Sequence, residues 1–181
     1  MTLPYESIWS KVAPIVAKAE RPSRYINHEW GSVCKRDCDF RFCMVYPDTY
    51  ELGQANQALR ILVNAVNRCE GMAAERGFLP AADMCDALRA EGLPLFSIEG
   101  CAPLSSFDAI GITLPHELAA TNVLEILDLA GIPVRAEDRS DDDPIVVGGG
   151  PCALNPEPYA LFFDAINIRS EEHTSELQSP Q

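Results

Sequence analysis

Short apolar runs alternate along this chain with longer stretches in which apolar residues recur every three or four positions. That is the signature of strands followed by amphipathic helices. The first run, Phe42 to Tyr46, stops at Pro47-Asp48. From there Leu52, Ala55, Leu59, Leu62 and Val66 recur at alternating spacings of three and four, with Ile61 and Val63 widening the stripe. The spacing predicts one helix from about Glu51 to Cys69, lying on a sheet. Residues 71–80 hold a short second strand, and Ala82 to Glu91 forms a helix ended by Gly92. Leu93 to Ile98 is a short extended piece. A buried strand over Phe107–Leu114 precedes a helix from about Glu117 to Ala130, whose buried side is drawn from Leu118, Val123, Leu124, Ile126, Leu127 and Leu129, with Gly131 at its end. Ile145 to Val147 runs into Gly148-Gly-Gly-Pro151, Pro156 to Phe163 fits a short helix, and Asp164 to Ile168 reads as a fifth strand.

Ahead of this alternation, residues 4–20 carry Ile8, Val12, Ile15, Val16 and Ala19 on one side of a short helix that Pro14 must kink or divide. Residues 21–39 show no period and read as an ordered loop, with Trp30 packing down on the domain. Repeated strand–helix units favour a parallel sheet with right-handed crossovers. The expected architecture is therefore α/β, a doubly wound parallel sheet of flavodoxin-like or Rossmann-like type with about five strands and an N-terminal helical appendage. The expected division is 1–39 for the helix and loop, 40–168 for the α/β domain, and 169–181 for a separate tail. That tail, Arg169 to Ser179, looks like the translation of a sequencing-library adapter, so it is set aside as an artefact.

Composition narrows the partners. At 181 residues the chain can close a core without disulfides or metal. A formal charge of −13 argues against a nucleic-acid backbone or an anionic membrane as the main partner. No apolar run approaches the ~20 residues needed to cross a bilayer, and the N-terminus lacks a secretory pattern, so a cytoplasmic protein is expected. Seven scattered cysteines suit reduced thiols better than a disulfide framework. The acidic turn Asp141-Asp-Asp143 is expected to face water.

Candidate chemistry gathers where strands end. Asp48 to Gly53, Gly111 to Leu114 and Val147 to Pro151 each follow or close a strand, and in a parallel sheet all three converge on one rim, where ligands bind. Glycines there let a bulky group approach the backbone, and Thr113 offers a hydroxyl. A tight strand-to-helix turn explains Gly148, Gly149 and Gly150 equally well, and Asp48 suits a helix cap as well as a ligand contact. His28 and His116 lack a nucleophile or metal-ligand context. Cys152 reads as a packing residue rather than a reactive thiol.

These segments resemble a known family. Cobalamin-binding domains carry Asp-x-His-x-x-Gly after the first strand, a Ser/Thr segment after a middle strand and Gly-Gly after the fourth. This chain has Asp48-x-Tyr50-x-x-Gly53, Thr113-Leu114 and Gly148-Gly149 in that order. Arg24-Tyr-Ile, Glu29-Trp, Tyr46-Pro-Asp-x-Tyr-Glu-Leu-Gly53, Pro94-Leu-Phe-Ser, Glu117-Leu, Thr121-Asn-Val-Leu, Asp128-Leu-Ala-Gly-Ile-Pro133 and Gly149-Gly-Pro-Cys-Ala-x-Asn-Pro-Glu157 look like the N-terminal domain of B12-binding-type radical SAM proteins, over residues 21–168.

The resemblance implies a cobalamin-binding module built on Asp48, Tyr50, Gly53, Thr113, Leu114, Gly148, Gly149 and Gly150. It implies a [4Fe-4S] cluster and S-adenosylmethionine in a downstream barrel, which would be this domain's main partner. Tyr50 stands at the histidine position, and a phenol with a pKa near ~10 is a poor substitute for imidazole on cobalt. Two readings stay open: cobalamin held without histidine ligation, or a structural or docking domain that keeps the fold and binds none. The cluster motif Cys-x-x-x-Cys-x-x-Cys is missing; Cys34, Cys38 and Cys43 have too long a second gap, and Cys43 falls within the first predicted strand. The chain alone is therefore not expected to cleave S-adenosylmethionine. A free-standing flavin or nucleotide domain using the same rim is disfavoured, because the glycine turn is not G-x-G-x-x-G and comes late in the chain.

Overall fold

The computed structural model describes residues 7–27, 29–35 and 37–168. The expected segments 4–6 and 169–181, and His28, lie outside them. Five strands form one all-parallel sheet: β1 (Phe40–Tyr46), β2 (Met72–Phe78), β3 (Ala109–Thr113), β4 (Ile145–Gly149) and β5 (Ala165–Asn167). Their order is β2-β1-β3-β4-β5, the doubly wound order in which the chain reverses direction between β1 and β3. Helices α1 (Trp9–Val16), α2 (Tyr50–Gln54), α3 (Gln57–Arg68), α4 (Ala82–Glu91) and α5 (Ala120–Ala130) surround it.

The two sheet faces follow from the period of two along each strand. Cys43, Val45, Ile110, Ile112 and Val146 face α4 and α5 in the larger core. Helix α1 precedes the sheet as expected, and Val12 and Val16 carry it into that core. The opposite face puts Met44, Ala74 and Phe78 against Leu59 and Val63 of α3. Helix α3 lies over β1 and β2. Towards β4 and β5 the same face carries Ile145, Val147 and Ala165, with Ile145 54% exposed and Ala165 exposed.

Several expectations are corrected. The single helix over 51–69 is two, because Asn56 takes an extended backbone and its side chain accepts from the Leu59 amide at 3.1 Å, capping α3. The break rotates the stripe, so Leu52 and Ala55 are exposed, while Ile61 is exposed because it lies on the opposite side of α3 from Leu59 and Val63. Leu118 is 87% exposed, since residues 117–119 form a 3-10 turn ahead of α5 rather than its first turn. Trp30 is 95% exposed instead of packed down. Residues 156–163 contain no α-helix; Pro156 and Pro158 confine them to a 3-10 turn over Glu157–Tyr159. Leu93 to Ile98 adds no strand to the sheet and makes one antiparallel bridge, Phe96 to Pro103. All seven cysteines are free. Asp141 and Asp142 are exposed as expected, and Asp143 accepts from the Ser140 amide and hydroxyl. No helix among the described residues is long and apolar enough to cross a membrane.

The β2 edge is closed by side chains. The Asn67 amide donates to the Ala74 carbonyl and accepts from the Ala74 N–H, both at 2.9 Å, as a neighbouring strand would. Next along the edge, the Arg76 N–H donates to Glu99 at 2.7 Å, and the Arg76 carbonyl accepts from the Ile98 amide at 2.8 Å. An edge blocked in this way cannot template another strand. Replacing Asn67 by Leu strips Ala74 of both partners. The expected loss is about 1–2 kcal/mol, read from urea unfolding, with faster hydrogen exchange at the Ala74 amide; unchanged exchange there would show that the edge does not depend on Asn67.

Candidate functional site

The carboxyl rim brings together the loops after β1, β3 and β4. At the β3–β4 side the two chains clasp: the Leu114 N–H donates to the Gly149 carbonyl at 2.6 Å, and the Cys152 N–H donates to the Leu114 carbonyl at 3.0 Å. At the β1 side, Asn122 of α5 donates to the Pro47 carbonyl at 2.9 Å, and the Leu79 amide donates to the Asp48 carbonyl at 3.1 Å. Asn122 thus ties the first loop to the helix that follows β3, across the point where the strand order reverses.

The residues singled out from the sequence fall into this frame as follows. Asp48 is half-buried, and its carboxylate accepts from the Thr49 amide at 2.7 Å. Thr49 is the N-cap of α2 and makes no side-chain capping bond. Tyr50 packs edge-on against Phe78 with ring centroids 5.4 Å apart, and its hydroxyl donates to Glu29 at 2.5 Å. Burial, then the hydrogen bond to Glu29, push the phenol up to about 12. Gly53 is buried, and a Cβ on it would sit 2.4 Å from the Phe78 ring. Thr113 is half-buried at the end of β3, paired in register with Gly149. Leu114 is fully buried in the core.

The three consecutive glycines differ. A Cβ on Gly148 would meet the Phe163 ring at 3.2 Å and Leu114 at 3.4 Å, whereas one on Gly149 would find only the Asn167 Cβ, at 3.9 Å. Gly150 has φ +117 and ψ −173, and a Cβ there would lie 3.1 Å from the Leu114 N and O. Burial and the nearby Glu117 carboxylate raise the Cys152 thiol, which suits packing rather than nucleophilic chemistry.

A charged network beside β2 went unrecognised in the sequence. Arg76 is buried; its guanidinium donates to Glu29 at 2.9 Å, to Gln54 at 2.6 Å and to Glu99 at 2.6 Å. Gln54 also donates to Glu29 at 2.7 Å. Burial pushes the Glu29 carboxyl up, but Arg76, Tyr50 and Gln54 outweigh it and hold it below its ordinary value. For Glu99 burial wins over Arg76, and its carboxyl stays raised. Burial would lower Arg76, yet Glu99 and Glu29 hold it above its ordinary value. On the other face, Glu75, 1% exposed, accepts from Arg41 at 2.9 Å, from the Ser97 hydroxyl at 2.5 Å and from the Gly100 amide at 2.9 Å. The Arg41 guanidinium stacks 4.1 Å above the Phe107 ring. The legible signal was Glu75-Arg76 inside an otherwise small and apolar strand, since buried charges need partners.

Among the described residues no group of three or more His, Cys, Asp or Glu could hold a metal ion. No curated protein matches the chain. A family model described as radical SAM proteins, N-terminal, matches residues 58–178, two-thirds of the sequence. The match takes in β2 to β5 and therefore Thr113, Leu114 and Gly148 to Gly150, while Asp48, Tyr50 and Gly53 precede it. On that match the chain belongs to the family of N-terminal domains of radical SAM proteins.

Proposed function

We propose that this domain is a docking and supporting module for the remainder of a radical SAM protein, and that it works without cobalamin. The observation that carries the reading is how the rim spends its glycines. A cobalamin module needs their missing side chains as room for the ligand. Here Phe78 fills the space beside Gly53, Phe163 and Leu114 fill that beside Gly148, and the Leu114 backbone fills that beside Gly150. Gly149 alone keeps open space. Tyr50, at the position of the cobalt-ligating histidine, is committed to Glu29 and Phe78. The residues present do not fit the cofactor, and no chemical step is assigned to it.

Docking is supported by the half of the sheet that α3 leaves uncovered, where Ile145, Val147 and Ala165 share one face with Gly149. Its occupant in this reading is the portion of the same protein that carries the radical SAM chemistry. The [4Fe-4S] cluster and S-adenosylmethionine belong to that portion.

Two measurements test the reading. The chain is mixed with hydroxocobalamin and desalted; a colourless folded protein is expected. Retained colour at one equivalent would restore a cobalamin site built on Asp48, Tyr50, Gly53, Thr113, Leu114 and Gly148 to Gly150. Separately, the chain is combined with the radical SAM portion of its parent. Changing exposed Ile145 to Asp should weaken association by about tenfold or more, because desolvating a carboxylate in an apolar contact costs more than one decade of affinity. Undiminished association would remove this face from the interface.

A further inference from the structure

Away from the rim, residues 29–33 and one side of α3 line a solvent-open cleft. Its floor is the Arg76 guanidinium with its two carboxylates, Glu29 and Glu99. The lining also includes Arg60, Asn64 and Asn67 of α3, and Trp30. Arg60 is exposed and has no ion pair among the described residues. The Ser32 hydroxyl, also in the lining, is buried without a hydrogen-bond partner among the described residues.

These groups are complementary to one ligand shape. An indole exposed at 95% offers a full π-face to a planar ring, and base–aromatic stacking is favourable for any heteroaromatic base. Asn64 supplies an amide for the ring edge or a sugar. Arg60 supplies a guanidinium with no ion pair among the described residues, the side chain best matched to phosphate. The two arginines balance Glu29 and Glu99, so the cleft is locally neutral on a chain whose formal charge is −13. An anion meets less repulsion there than over most of the surface.

We propose that this cleft binds a planar heteroaromatic ring bearing an anionic group, of the class of nucleoside monophosphates. The ring stacks on Trp30 and the phosphate pairs with Arg60. Both side chains are exposed, so replacing them leaves the core intact. Equilibrium dialysis of the full 181-residue chain against adenosine 5′-monophosphate is the test, with adenosine as the uncharged probe. Saturable uptake of the monophosphate is expected, about tenfold tighter than adenosine. R60A should remove that tenfold preference while leaving adenosine unchanged, and W30A should weaken both ligands by about tenfold or more. Thermal unfolding of both variants should match the parent. Equal affinity for the two probes, an unchanged monophosphate affinity in either variant, or no saturable uptake by the parent overturns the proposal.

Discussion

Gly150→Ala should lower stability by about 2–6 kcal/mol. Two costs combine. The backbone at φ +117 and ψ −173 lies where only glycine is at ease, a penalty of about 1–3 kcal/mol for any other residue. The new methyl would also press on the Leu114 N and O at 3.1 Å. Those are backbone atoms already committed to the Gly149 carbonyl and the Cys152 amide, so they cannot move aside without breaking the β3–β4 clasp. Such overpacking adds about 1–3 kcal/mol. For a chain of this length the midpoint of thermal unfolding should fall by roughly 2–4 °C per kcal/mol. Gly149→Ala is the control. It has ordinary backbone angles and open space, so its midpoint should barely change. Equal losses at the two positions would mean that the clasp is not what Gly150 serves.

The second large effect belongs to Arg76. Replacement by Met keeps much of the stem but leaves Glu29 and Glu99 facing each other without their cation. Removing one partner of a buried ion pair costs about 3–5 kcal/mol. The deficit should depend on pH. In the parent protein Glu99 is already raised by burial, so its contribution is fully present below its unfolded pKa and is lost as pH rises through the folded one. Without Arg76 the folded value climbs further, and more is lost at neutral pH. Glu29 works in the opposite sense. Its lowered pKa gives stability above the unfolded value that disappears as pH falls through the folded one. That gain is what the Met variant forfeits at neutral pH.

The Glu99 term makes the gap between parent and variant wider near pH 7.5 than at pH 5, by about 1.4 kcal/mol for each unit by which its folded pKa climbs inside that window, whereas the gain from Glu29 is already complete at pH 5 and is lost only at lower pH. Urea unfolding at the two pH values measures it. A gap independent of pH would show that the loss comes from packing of the stem rather than from the carboxylates. Arg89 is the contrasting case: its pairs with Glu125 and Asp128 are solvent-exposed, so Arg89→Met should change stability little.

These two sites show where reading the chain by period succeeds and where it stops. The strand positions and the helices over Ala82–Glu91 and 120–130 were legible because buried apolar residues repeat at two or at three-and-four, and because Gly92 and Gly131 end their helices with left-handed backbones. Leu52 and Leu118 were misplaced for a physical reason: a period gives a face only while the helix is continuous. Asn56 and the 3-10 turn at 117–119 interrupt it. Trp30 lies in a segment without a period, where hydrophobicity alone predicts burial and a loop geometry fixed by Glu29 leaves the indole outside.

Local period, turn chemistry and motif order were enough to read the class of fold, the convergence of three loops on one rim and the radical SAM N-terminal family from the chain, though not the cobalamin-binding part of the resemblance. Which groups stand beside the rim glycines is visible only in the fold. A missing Cβ reads the same in a sequence whether a cofactor or a neighbouring side chain takes its place, and here the neighbours are Phe78, Phe163 and the Leu114 backbone, brought there from distant parts of the chain. The same holds for the partners of Arg76. Glu29 and Glu99 lie 47 and 23 residues away, and long-range pairing of charges leaves no period to read.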